Sequence, residues 1–127
     1  MQYARFQVHN IRGVPCLTIA GAVDIGNVES LEVLLQELAS HDAGIVIVSL
    51  DGAEYFDSCM IHVLAQYIER MKTNRQEVCF VLSKTSKVRL LLDVTGLLGK
   101  MQIFPTMSEA TAAALPLLRP TPASFPQ

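Results

Sequence analysis

The stretch "IVIVSLDGAEYFDSCMIHVLAQY" (residues 45–67) sets the architecture. With Gly44 before it, "GIVIVSL" is a continuous β-branched and apolar run. Such a run suits a central strand covered on both faces. Beyond it, "DGAEYFD" (residues 51–57) is read as a turn. Ile61, Leu64, Ala65 and Ile68 then recur at helical spacing, with His62, Gln66, Glu69 and Arg70 on the opposite, wet side. Asp57, Ser58 and Cys59 stand at the first turn of that helix. They could be a cap, a catalytic group or a switch.

Working outward, the same alternation continues in both directions. "FQVHNI" (residues 6–11) alternates apolar and polar residues as a half-buried strand does, "RGVP" punctuates it, and "CLTIAGAV" (residues 16–23) completes a hairpin. Asn27 is placed to cap the following helix through its side-chain oxygen. Leu31, Leu34, Leu35 and Leu38 form that helix's apolar stripe. Downstream, "VCFVL" (residues 78–82) reads as a buried strand. A helix around Val88, Leu91 and Leu92 is stopped by Gly96. "MQIF" (residues 101–104) is a short last strand, and "SEATAAALPLL" begins as a helix that Pro116 ends or kinks. Strand–helix–strand steps imply parallel pairing with right-handed crossovers. The expected fold class is α/β: a mixed, mostly parallel β-sheet with an N-terminal hairpin, flanked by about four helices. One domain is expected over residues 1–115, with a Pro-rich, disordered tail over residues 116–127.

Size and composition narrow the function classes. The chain has 127 residues, half of them hydrophobic, which is ample for one core. Net charge is −2 and the basic residues are scattered, so no nucleic-acid footprint is expected. The cysteines, Cys16, Cys59 and Cys79, are odd in number and irregularly spaced, which suggests a reducing compartment. With no signal peptide visible at Met1 and no apolar run of bilayer length, the expected location is cytoplasmic, without direct membrane insertion.

The histidines, His9, His41 and His62, show no ligand spacing with cysteine, so no metal is expected. No glycine-rich nucleotide motif occurs, so no cofactor is expected. Asp57, Ser58 and His62 contain the residue types of a hydrolase triad. However, neighbouring Asp57 and Ser58 would point in different directions, and no Gly-x-Ser-x-Gly elbow surrounds the serine. Cys59 at a helix start could hold a stabilised thiolate, but no resolving cysteine is near. Ser58 has two physical readings, which the sequence leaves open. It is a cap, or it is a phosphorylation site at a helix terminus that tolerates anions. Lys84, Lys87 and Arg89 oppose the dipole of the third helix. They form either a solvated face or a site for an acidic partner.

The order "TIAGAVDIGNVESLEVLL", "IVIVSLDGAEYFDSCMIHVL" and "KVRLLLDVTGLLGKMQIFPTMSEA" resembles the STAS domain of bacterial anti-sigma factor antagonists. The most specific features are Gly21 and Asp24, the Phe56-Asp57-Ser58 turn, and Thr95-Gly96-Leu97. The resemblance runs from about residue 6 to residue 115. It implies a non-enzymatic regulator of transcription in which Ser58 is the phosphoacceptor. It also implies a partner-binding face of Asp24, Asn27, Asp57, Cys59, Met60 and His62. The implied partners are a serine-kinase anti-sigma factor, which would supply nucleotide and magnesium, and a resetting serine phosphatase. The chain departs from the usual Asp-Ser-Ser-Gly at Cys59 and Met60. Met60 either joins Tyr67 and Met71 in the core or offers an apolar contact to a partner. The second choice supports an alternative: an unphosphorylated STAS interaction module of a scaffold or membrane-transporter complex.

Overall fold

Side chains along one strand face alternately to the two sides of a sheet. In the central strand, Val46, Val48 and Leu50 pack on one face, while Ile45 and Ile47 pack on the other. Both sides are fully buried, as the unbroken apolar run requires. The structure, a computed structural model, describes residues 3–120. Its strands are β1 (Ala4–Ile11), β2 (Val14–Val23), β3 (Ile45–Phe56), β4 (Glu77–Val81) and β5 (Gln102–Phe104). The helices are α1 (Val28–Ser40), α2 (Ser58–Thr73), α3 (Arg89–Val94) and α4 (Met107–Ala114). The five strands lie in sequence order, with β1 antiparallel to β2 and every later pair parallel. This is the expected mixed sheet with its opening hairpin.

The larger core lies between the sheet and α1, α2 and α3, where Leu31, Leu35, Leu38, Leu64 and Leu92 meet Leu17, Val48 and Phe80. The smaller core, on the opposite face, is sealed by Ala110 and Ala114 of α4 against Cys16, Ile47 and Cys79. Small side chains let α4 lie close to the sheet.

Three expectations need correction. First, residues 51–56 are not a turn, because β3 runs on to Phe56. Beyond Ser49 this strand pairs only with β2, since β4 ends at Val81. A half-partnered strand end can carry Asp51, Glu54 and Tyr55 in solvent, and so reads as polar. Second, the buried face of α2 is Met60, Val63, Leu64, Tyr67 and Met71. Ile61, Ala65 and Ile68 flank it, half-buried. Third, the chain stays attached beyond residue 115. A 3-10 turn spans Leu115–Leu117, Leu118 packs on the smaller core, and the Arg119 amide donates to the Ala43 carbonyl at 2.8 Å. The Arg119 guanidinium also pairs with the Asp42 carboxylate. The remainder of the Pro-rich tail, from residue 121, lies outside the described residues.

Burial has a consequence at alkaline pH. The thiols of Cys16 and Cys79 are fully buried, and burial pushes each pKa up from 9.0 to about 11; Glu77 adds to the effect at Cys79. Burial also raises the Tyr67 hydroxyl above its usual range. Unfolded thiols release their protons near pH 9, whereas folded ones hold theirs to about pH 11. Stability is therefore complete below the lower value and falls as pH rises through this window, by about 3 kcal/mol per thiol. Thermal melts across the window should show the fall, and Cys16→Ala/Cys79→Ala should show a shallower slope from a lower starting point.

Candidate functional site

Asp57 is the hinge of the site. It is extended, with φ −93° and ψ −177°, and caps α2: its Oδ1 accepts from the Met60 amide at 3.1 Å. Its other oxygen, Oδ2, accepts from the Ile25 amide at 3.0 Å, 32 positions away in the chain. The Asp57 amide in turn donates to the Val23 carbonyl at 3.1 Å. One carboxylate thus starts the helix and fastens the β2–α1 loop beside it.

That loop is also closed from within. The Asp24 carboxylate accepts from the Gly26 amide at 2.8 Å, and the Asp24 carbonyl accepts from the amides of Asn27 and Val28. Asn27 does not cap α1 with its side chain, contrary to expectation. Its Oδ1 accepts from the Asp24 amide at 3.1 Å, and its Nδ2 donates to the Ala22 carbonyl at 3.0 Å. The asparagine is spent on holding the loop shut. Gly21, just upstream, has φ +85°, and a Cβ there would lie 2.0 Å from the Tyr3 carbonyl oxygen. Only glycine lets β2 pass under the chain start and deliver Asp24 to its place.

Ser58 occupies the first position of α2 and is exposed. Because Asp57 does the capping, the serine hydroxyl is not needed for it, and among the described residues it makes no hydrogen bond. His62 is exposed one turn further on, and Cys59 is half-buried between them in sequence. Asp57 gives its oxygens to the amides of Ile25 and Met60, and among the described residues no hydrogen bond joins it to His62, so the contacts of a catalytic triad are not made. Met60 is the correction among the site residues. It is fully buried in the larger core with Tyr67 and Met71, so it offers a docking partner nothing. The site thus brings together Asp24, Asn27, Asp57, Ser58, Cys59 and His62, and excludes Met60.

Sequence reasoning missed Ile25. It sits at the tip of the fastened loop with 75 % of its surface exposed. An isoleucine between Asp24 and Gly26 in a polar turn was the available signal. Elsewhere, Lys87 lies 3.8 Å from Glu54 with both side chains well exposed, and Arg89 reaches the Ser83 carbonyl. Lys84 and Lys87 are exposed and Arg89 is half-buried.

The double role of Asp57 can be split. Asp57→Asn keeps an acceptor for the cap but replaces the oxygen that holds Ile25 by a donor. Amide exchange at Ile25 is expected to quicken about tenfold, while α2 stays formed. Asp57→Ala removes both bonds, with an expected loss of about 1–3 kcal/mol in denaturant unfolding.

Comparison with known proteins bears on family and fold. The family model described as STAS domain matches residues 5–110. The chain belongs to the STAS domain family. No match was found among curated protein sequences. Among solved structures, this STAS domain is similar to an anti-sigma factor antagonist from Mycobacterium paratuberculosis, with 20 % identity and a TM-score of 0.77 over 87 % of this chain and 93 % of that one. It is similar also to the anti-sigma factor antagonist SpoIIAA in its unphosphorylated form (15 % identity, TM-score 0.72, 91 % of this chain, 100 % of that one). The phosphorylated form of the Bacillus cell fate determinant SpoIIAA matches at 18 % identity and a TM-score of 0.64, over 87 % of this chain and 99 % of that one. At these identities the likeness is one of fold. Among the described residues, no helix is long and apolar enough to cross a membrane.

Proposed function

We propose that this STAS domain is an anti-sigma factor antagonist: a phosphorylation-controlled protein-interaction switch with Ser58 as the phosphoacceptor. Its partners are a serine-kinase anti-sigma factor, whose binding frees a sigma factor, and a serine phosphatase that resets the switch. One observation carries this reading. Ser58 is an exposed, unengaged hydroxyl at a helix N-terminus whose capping is done by its neighbour. A kinase brings its own nucleotide, magnesium and catalytic base, so the substrate need offer only such a hydroxyl. The loop at Ile25 supplies an apolar anchor beside it, and His62 supplies a polar rim. Incubation with the kinase and ATP, followed by mass-spectrometric mapping, should place phosphate on Ser58. Phosphate elsewhere, or none, would remove the switch from the proposal.

The alternative, an unphosphorylated scaffold or transporter module, drew its support from Met60 as a contact residue. Burial of Met60 withdraws that support.

A further inference from the structure

At the other end of α2, about 24 Å along its axis from Ser58, the chain forms a cleft of about 400 Å³. Its floor is apolar, made by Ile68 of α2 with Val78 and Phe80 of β4. Its rim carries Lys72 from the last turn of α2, Arg75 from the turn after it, and Lys100 from the 3-10 turn before β5. Among the described residues none of these three cations forms an ion pair. Glu77 is the lining's carboxylate, and it accepts from the side-chain amide of Gln102.

Lys72 alone has a simple account, since a cation at a helix C-terminus answers the negative end of the dipole. Arg75 follows the C-cap of α2 in the left-handed conformation, φ +59°, that ends the helix, with the Gln76 amide donating to the Met71 carbonyl at 2.8 Å. Neither account covers Lys100, which comes from a different element. An independent sign comes from Gln76, which lines the same cleft and is only 5 % exposed. Its Nε2 donates to the Ala39 carbonyl at 3.0 Å, and among the described residues Oε1 is a buried acceptor without a partner. Buried polar groups in native structures are nearly always satisfied, so such an acceptor calls for a donor.

We propose that this cleft binds a small organic anion with an apolar body. The body would rest against Ile68, the charged group would meet Lys72, Arg75 and Lys100, and a hydroxyl or amine would satisfy Gln76 once its side chain turns toward the cleft. The volume is within the range of small-molecule sites. The cleft lies away from the Ser58 face, so the proposal stands independently of the switch.

The test uses phenyl phosphate, inorganic phosphate and benzyl alcohol as probes of body plus charge, charge alone and body alone. Each is titrated into the isotopically labelled full chain and followed by amide chemical shifts. Phenyl phosphate is expected to shift the Gln76 side-chain amide and the backbone amides of residues 72–80 and 100–102, saturably. It should bind about tenfold more tightly than either of the other probes. Lys72→Gln/Lys100→Gln changes two exposed side chains and should leave the remaining spectrum intact while weakening phenyl phosphate about tenfold. The proposal is overturned by shifts outside these residues only, by equal affinity for inorganic phosphate, or by an affinity that the double variant leaves unchanged.

Discussion

Met60→Gly, which restores the residue usual in the resembled motif, is expected to lower the unfolding free energy by about 3–5 kcal/mol. The side chain is fully buried and packs in the larger core along the face of α2 that holds Val63, Leu64, Tyr67 and Met71. Removing it takes away the transfer free energy of its methylenes and thioether and leaves a cavity. The rigid sheet below can fill that cavity only in part. Glycine adds the backbone entropy of a helical position. Met60→Leu keeps most of the volume and is expected to lose less than about 1.5 kcal/mol. Urea unfolding of both variants, with the midpoint shift read at constant slope, makes the measurement. The affinity of the folded Met60→Gly protein for a partner should be unchanged, since the side chain reaches no surface. An unchanged midpoint together with altered partner binding would show instead that Met60 is a contact residue.

Why Met60 was hard to place shows where sequence stops being informative. Helical periodicity gives α2 an apolar face, but Met60, Ile61, Val63, Leu64, Ala65, Tyr67 and Ile68 offer two overlapping stripes offset by one residue, about 100° around the helix. Which stripe turns inward depends on how α2 meets β3 and α1, and that is decided by tertiary packing. The strands were more legible. An apolar run such as "GIVIVSL" has both faces committed, so it has one place to go. The polar end of β3 misled because Gly52 and Asp51 have turn chemistry, while the pairing with β2 is a long-range fact. At the site, a helix start at Asp57 was readable from local capping preference. The bond from Ile25 to Asp57 was not, because nothing local in either segment requires the other. The same holds for Asn27, whose side chain had two plausible sets of partners and took the one that closes the loop.

Ser58→Asp is expected to weaken binding to the proposed kinase anti-sigma factor about a hundredfold, roughly 2.8 kcal/mol, and to leave stability within about 0.5 kcal/mol of wild type. The two halves of this prediction have different causes. In the free protein, the added carboxylate sits at the first position of α2, beside the positive end of the helix dipole, and it is exposed. Asp57 is its neighbour, but both Asp57 oxygens accept from backbone amides, which compensate part of that charge, and solvent screens the rest. In the complex, the same carboxylate must be stripped of water against whatever has docked over Ser58, Ile25 and His62, with the Asp57 charge close by. A phosphate, with roughly −1.5 to −2 charges, should act in the same direction and more strongly. Ser58→Asn separates charge from size: it is close to aspartate in shape and should retain most of the affinity. Ser58→Ala should bind as tightly as wild type and never be released by ATP. Calorimetric titration of the four proteins decides the matter. Equal affinity of wild type and Ser58→Asp would sink the switch, and an equal loss in Ser58→Asn and Ser58→Asp would assign it to bulk at the helix start rather than to charge.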